Sequence, residues 1–257
     1  MMNEHISQVN QAAYARADIV KYYQGIESLY KTEQVLFDKL LPTIKDSKIL
    51  DIGVGGGRTT RYLLSISRDY TGVDYVRQFA EATQKKYENA EILCGDVRDM
   101  REFQAETFDF ALFSYNGIDH ISNAERVKAL KEIYRVLKKD GIFMFSSHNR
   151  DYRYFDKFPW QQKIHFNRSY LLFCLHCLYY LPNHFRMKQH EIHTEDYAVI
   201  NDGDHRYSLL IYYIGIDKQI EQLTDIGFSG SEAYNMAGET VTSDVSSHWI
   251  YYLAKKS

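Results

Sequence analysis

A strand-forming run that empties into glycine constrains this chain more than any other stretch. Lys48, Ile49, Leu50 and Ile52 read as a buried strand interrupted only by Asp51. Gly53, Gly55, Gly56 and Gly57 follow, and a helix is predicted to begin near Thr59. Glycine lets bare backbone approach a ligand, so a strand, a glycine turn and a helix in succession mark a binding crossover. The spacing is G-x-G-x-G, at Gly53, Gly55 and Gly57, with Asp51 two positions ahead of the first glycine. A dinucleotide turn has G-x-G-x-x-G instead, and its third glycine would fall where Arg58 stands.

The surrounding pattern alternates. Strands are predicted at 48–52, 70–74, 91–94, 108–114 and 141–147, with helices near 59–67, 76–88 and 124–138. Such alternation builds a parallel, doubly wound sheet with right-handed crossovers. The 124–138 helix carries Val127, Leu130, Ile133, Tyr134 and Leu137 at helical spacing and is predicted to stop at Lys138-Lys139-Asp140-Gly141, basic residues followed by glycine. Residues 3–41 read as helical, closed by Pro42.

Residues 148–214 break the rhythm. The 160–181 stretch looks helical, and Glu191–Ile200 and Arg206–Ile214 read as two strands joined by Asn201-Asp-Gly-Asp, a hairpin-turn composition. A helix at 217–226 and strands at 228–234 and 248–254 then complete the sheet. The expected fold is α/β: a Rossmann-like, seven-stranded doubly wound sheet with an N-terminal helical cover and an antiparallel β/helix cap inserted after strand five. The expected division is a cover over 1–45, a ligand-binding core over 46–148, a cap or substrate insert over 149–215, and core completion over 216–257.

Composition narrows the partners. A net charge of -3 offers no basic face for a polyanion, so no nucleic-acid partner is expected. The N-terminus lacks a basic segment followed by an apolar core, and the three cysteines are an odd count that suits reduced thiols. A cytoplasmic location is expected, with assembly left open. Cys174 and Cys177 lack a second pair, so no metal site is predicted. The apolar run Tyr170–Leu181 has twelve residues, short of the ~20 that span a membrane. It reads as a buried or lid helix. The alternative is an interfacial helix, because Lys163, Arg168, Arg186 and Lys188 flank it.

Four further features accompany the glycine turn. Asp74 ends the second strand, twenty-one residues after Gly53, where a carboxylate can accept both ribose hydroxyls. Cys94-Gly-Asp96-Val97 follows the third strand, Phe108–Asn116 forms the fourth, and Glu132–Phe145 carries a helix into the fifth. Together with Asp51-Ile-Gly-Val-Gly-Gly-Gly they resemble the class I S-adenosylmethionine (SAM)-dependent methyltransferases over roughly residues 20–147 and 217–254. In the helix-to-strand turn, Lys139 and Asp140 replace the family's Pro-Gly. Tyr22-Tyr-Gln-Gly25 is similar to a segment of the bacterial deoxysugar N-methyltransferases that folds over the cofactor.

The resemblance implies SAM as cofactor, no metal, and a cofactor site of Tyr23, Asp51, Gly53, Gly55, Gly57, Asp74, Tyr75, Asp96, Val97 and Ser114. Asp96 corresponds to the family's contact to the adenine amino group, and Tyr30 to a later aromatic. The Asn/Asp-Pro-Pro-Tyr of adenine and glutamine N-methyltransferases is replaced by Ser114-Tyr-Asn-Gly117, and no Pro-Cys nucleophile is present. Candidate catalytic residues sit at strand ends facing the ligand crevice: Tyr115, Asn116, Asp119 and His120 after strand four, His148 and Asn149 after strand five, and His193, Asp204 and His205 on the insert. His148, Tyr115 and His120 lead, with His148 the preferred base because imidazole titrates near neutrality. The expected acceptor is a small or medium molecule. A protein, peptide or tRNA acceptor, a non-catalytic SAM-binding module and an NAD-linked oxidoreductase stay open as alternatives.

Overall fold

The central strand β1 (Ile49–Ile52) is buried at every position, which requires helices on both faces of the sheet. The computed structural model describes residues 2–162 and 164–257. Lys163 lies outside the described residues, as do the side chains of residues 2–5, Pro159 and Asp204. The parallel strands are β1, β2 (Tyr70–Asp74), β3 (Glu91–Cys94), β4 (Phe108–Phe113) and β5 (Leu137–Asn149). Strands β6 (Ile192–His193), β7 (Tyr197–Ile200) and β8 (Ile211–Ile214) lie in the insert, and β9 (Phe228–Tyr234), β10 (Thr240–Val241) and β11 (Trp249–Lys256) follow. The sheet runs β10-β9-β11-β5-β4-β1-β2-β3. β11 is antiparallel to both of its neighbours, and β1, β2, β3, β4 and β5 pair in parallel.

The helices are α1 (Met2–Tyr14), α2 (Ala17–Gln24), α3 (Lys31–Ile44), α4 (Thr60–Ile66), α5 (Arg77–Lys86), α6 (Asn123–Val136), α7 (Arg168–Lys188) and α8 (Ile216–Ile226). One face of the sheet buries Leu130 and Ile133 of α6 with Ile216 and Leu223 of α8. The other buries Leu36, Phe37 and Leu40 of α3, Leu63 of α4 and Ala80 of α5. Each is an apolar stripe at helical spacing laid on a pleated apolar surface.

The N-terminal cover divides in two. α3 belongs to the core layer, whereas Ala13, Tyr14 and Ile19 of α1 and α2 pack against Ala198, Ile200, Leu209 and Ile211 of the insert. Asn10 stitches the two together. Its amide donates to the carbonyls of His120 (2.9 Å) and Leu210 (2.7 Å), and its oxygen accepts from the Leu210 N–H (3.0 Å). Cover and insert therefore form one body above the C-terminal ends of the parallel strands.

Several boundaries differ from the sequence expectation. Residues 3–41 form three helices, and α3 runs through Pro42 to Ile44. Proline costs one helical hydrogen bond, but Pro42 and Asp38 are both exposed, so water can take the freed carbonyl. α6 stops at Val136, and Leu137 already opens β5. Asp140, at φ 65°, takes the left-handed position expected of Gly141. The insert is not antiparallel throughout. β8 pairs antiparallel with β7 and parallel with the end of β5, at His148↔Tyr213 and Asn149↔Ile214, so the insert prolongs the central sheet. β7 and β8 are connected through a left-handed turn in which Gly203, His205, Arg206 and Tyr207 all have positive φ. That is sparsely populated backbone for three non-glycine residues.

Candidate active site

One cavity opens at the C-terminal ends of β1, β2, β3 and β4, beneath α1 and α2. Open α/β sheets bind ligands at this edge. The glycine loop forms its floor. Gly53, Gly55 and Gly57 have φ of 67°, 52° and 79°, values that L side chains rarely adopt. Gly56 is required for another reason: a Cβ there would lie 2.3 Å from the carbonyl oxygen of Tyr23. The backbone of α2 thus rests directly on the loop.

Gly53 and Gly55 line the cavity, while Gly57 faces α5, where its carbonyl accepts from the Tyr87 hydroxyl at 3.1 Å. Asp51 is buried behind the loop rather than on the wall. Its Oδ2 accepts from Thr59 (2.9 Å) and Tyr70 (2.9 Å). Burial pushes its carboxyl up to about 6 against those hydrogen bonds.

Asp74 stands on the cavity wall at the end of β2. Its Oδ2 accepts from the Gly55 N–H (2.9 Å) and its Oδ1 from the Val76 N–H (2.8 Å). Each oxygen keeps acceptor capacity. Burial raises its carboxyl to about 6, opposed by the two backbone donors. Tyr75 also lines the cavity, and its buried hydroxyl has no hydrogen-bond partner among the described residues. Across the cavity lie Asp96, Val97 and Arg98. Arg98 grips Asp96 through Nε (2.9 Å) and Nη2 (2.5 Å) and reaches Glu125 with Nη1. Burial works upward on Asp96, but Arg98 wins and holds it below the usual carboxylate range.

Beyond β4 the backbone is strained. Tyr115 and Asn116 have φ of 54° and 56°, and such geometry clusters at functional sites. Ser114 and Tyr115 both line the cavity. Behind them Arg58 and Glu33 form a buried two-pronged ion pair, with Arg58 Nη2 also donating to Ser114 Oγ at 2.9 Å. The guanidinium is 5.2 Å from the Tyr30 ring centre and 5.4 Å from that of Tyr115. Trp249 closes the group, 5.1 Å from Tyr115 and 5.2 Å from Tyr30. Burial and a hydrogen bond with Tyr30 push the Tyr115 hydroxyl well up, so it stays protonated.

Two histidines follow. His120 lines the cavity; its Nε2 pairs with the Tyr14 hydroxyl at 2.9 Å, and its Nδ1 has no partner among the described residues. Burial first, and His148 second, depress its pKa to about 3, leaving a neutral imidazole. His148 does not line the cavity. Its ring faces Asp119 at Nδ1 (2.8 Å), and Nε2 lies 3.3 Å from Asn116 Nδ2. Asn149 spends its side chain on the carbonyls of Asp244 and Ser247. His193 is half-exposed beside Glu191 at 3.8 Å.

The lid is aromatic. Tyr23 lines the cavity and its hydroxyl meets His205 Nε2 at 3.1 Å. His205 also packs edge-on to Tyr14 and Tyr22. Glu33, Arg98 and Trp249 were not among the sequence candidates, and Arg58 was noted only as the residue standing where a dinucleotide turn would have glycine. Arg98 carried a signal, two residues after Asp96. The Glu33–Arg58 pair joins positions 25 apart and carried none.

Residues 50–145 match the family described as a methyltransferase domain. An uncharacterized methyltransferase of Oceanobacillus iheyensis is 26% identical over 125 residues, covering 47% of this chain and 57% of its own length. The glycine/sarcosine N-methyltransferase of Aphanothece halophytica is 30% identical over 126 residues, covering 47% of each. The chain spans about half the length of the curated relatives it matches. Among solved structures, the 1,6-didemethyltoxoflavin-N1-methyltransferase of Burkholderia thailandensis, bound to that substrate and S-adenosylhomocysteine, overlays with a TM-score of 0.60 at 16% identity, over 99% of this chain and 90% of its own. That likeness establishes the fold.

Proposed function

We propose that this chain, whose residues 50–145 are a class I methyltransferase domain of the SAM-dependent type, methylates nitrogen or oxygen on a small or medium-sized molecule such as a sugar, nucleotide-sugar, amine or secondary metabolite. The observation that carries this reading is the shared cavity wall of Gly53, Gly55, Asp74 and Asp96, one group from each of three successive strand ends. When bound, SAM supplies a methyl group on a sulfonium, which needs no electrons from the protein.

The chain's own residues fit that cofactor. Asp74 keeps acceptor capacity on both oxygens for a ribose diol, and the Tyr75 hydroxyl and Asp96 carboxylate offer polar contacts beside Val97 for a base. Asp51 and Gly57 serve by shaping the loop from behind. Ser114 serves by anchoring Arg58. Tyr23 and Tyr14 close the cavity and exclude water.

Acceptor alignment falls to Tyr115, His120 and Asn116. Neutral His120 is a lining residue whose buried Nδ1 has no partner among the described residues, suited to accept an N–H or O–H of the acceptor once the ring turns toward it. Asp119 fixes the tautomer of His148 with the proton on Nδ1. Nε2, in contact with the Asn116 side-chain nitrogen, is then the ring atom that would accept a proton once Asn116 turns aside. Aromatic walls and a net-neutral Glu33–Arg58 pair favour an uncharged or aromatic acceptor over a polyanion.

The test is transfer of labelled methyl from SAM to panels of amines, sugars and nucleotide-sugars, beside peptide and tRNA fractions. Label in a small-molecule fraction with matching S-adenosylhomocysteine is expected. Label confined to peptide or tRNA would overturn the acceptor class.

A further inference from the structure

Ten of the thirteen large apolar side chains left exposed among the described residues lie between Trp160 and Phe185. Most belong to α7. It rests on the fold by a narrow stripe, with Cys177, His184 and Met187 buried. The opposite face presents Leu171, Leu172, Leu175, Leu178 and Tyr179, the last 76% exposed, while Phe166, just ahead of the helix, is fully exposed. A helix face of this kind needs an occupant.

Charge identifies it. Between Asp156 and Glu191 there is no carboxylate residue, and Lys157, Lys163, Arg168, Arg186 and Lys188 contribute +5. Against -3 for the whole chain, the remainder carries -8. Arg168 and Arg186 are eighteen residues apart, so they bracket one face of the helix five turns apart, about 27 Å along the axis. Two copies meeting here would set cations against cations. No helix among the described residues is long and apolar enough to cross a membrane.

We infer that α7 and the aromatic segment before it dock on an anionic lipid surface, with the leucine face at the acyl boundary and the flanking cations among the headgroups. This rests on the surface alone and is independent of the methyl-transfer reading. Docking would orient the cavity. Asn183 of α7 donates to the Arg206 carbonyl (3.0 Å), the Arg206 guanidinium sits 5.6 Å from the Tyr180 ring centre, and the same left-handed turn carries His205 to Tyr23. The helix on the membrane and the lid of the site are one connected piece.

The full chain is sedimented with vesicles of phosphatidylcholine alone, and with vesicles containing roughly one third phosphatidylglycerol, at low and high salt. Partition at least about tenfold stronger onto the anionic vesicles, weakened by salt, is expected. The Leu172→Glu/Leu175→Glu variant should lose it by a similar factor while keeping the wild-type melting temperature, because both side chains are exposed. Equal partition or none onto the two vesicle types would overturn the inference. So would wild-type partition by the variant. A dimer in ultracentrifugation that the same variant abolishes, without vesicle binding, would assign the face to a second copy.

Discussion

One oxygen of Asp119 accepts two hydrogen bonds from His148, from its backbone N–H at 2.7 Å and its ring Nδ1–H at 2.8 Å. The other oxygen takes Ser147 Oγ (2.8 Å) and the fully buried Arg126 (2.5 Å). Burial would raise this carboxyl, but Arg126 and His148 hold it low and ionised. Asp119→Asn removes the charge opposite Arg126. Breaking a buried pair from one side costs ~3–5 kcal/mol, so urea denaturation should report a loss of that order. The Asp119→Asn/Arg126→Gln double variant should lose less than the two single changes added together.

His148→Gln tests the proton-accepting role. With a hydroxyl acceptor, kcat should fall ~100-fold or more, while S-adenosylhomocysteine binding stays within about twofold because His148 is off the cavity wall. An unchanged kcat would leave alignment alone as the protein's contribution.

Asp74 sets a pH dependence. Its carboxyl is raised to about 6, so it is ionised above that pH and protonated below. Ribose hydroxyls bind an ionised acceptor better. Cofactor affinity measured by calorimetry should therefore fall as pH drops through about 6 and flatten in Asp74→Asn. The stability sign is opposite. A carboxyl raised on folding stabilises most below its unfolded pKa, near 3.9, and that contribution is lost as pH rises through about 6.

Gly56→Ala tests the contact between the glycine loop and α2. A Cβ would stand 2.3 Å from Tyr23 O, a backbone atom that cannot swing aside. Overpacking of this kind costs ~1–3 kcal/mol. A lower melting temperature and weaker cofactor binding together are expected, since the displaced helix carries Tyr23.

The parallel core was readable because its signals are local. Val73, Ile92 and Phe110 sit in short apolar strands, and glycines end β1 where positive φ is needed. Asp74 and Asp96 were readable because strand ends in this topology fall at one edge. Gly57 and Asp51 show the limit: spacing places a residue in a loop but does not tell which way it faces. His148 shows it again: Asp119 holds its ring, which is not part of the cavity lining. The insert was half legible. The β7 and β8 segments were visible, but the pairing of β8 with β5 and the Asn10 contact to Leu210, 200 positions away, join segments far apart in the sequence. Where α6 stops was missed because Leu137, on the helix's apolar stripe, already takes an extended conformation and opens β5.

The central claim is that the glycine loop, Asp74 and Asp96 form a SAM site. The most direct measurement is calorimetric titration of the purified chain with S-adenosylhomocysteine and, separately, NAD. Micromolar binding of the first, lost in Asp74→Ala and with no heat from NAD, is the predicted result. Binding of NAD alone would contradict the account.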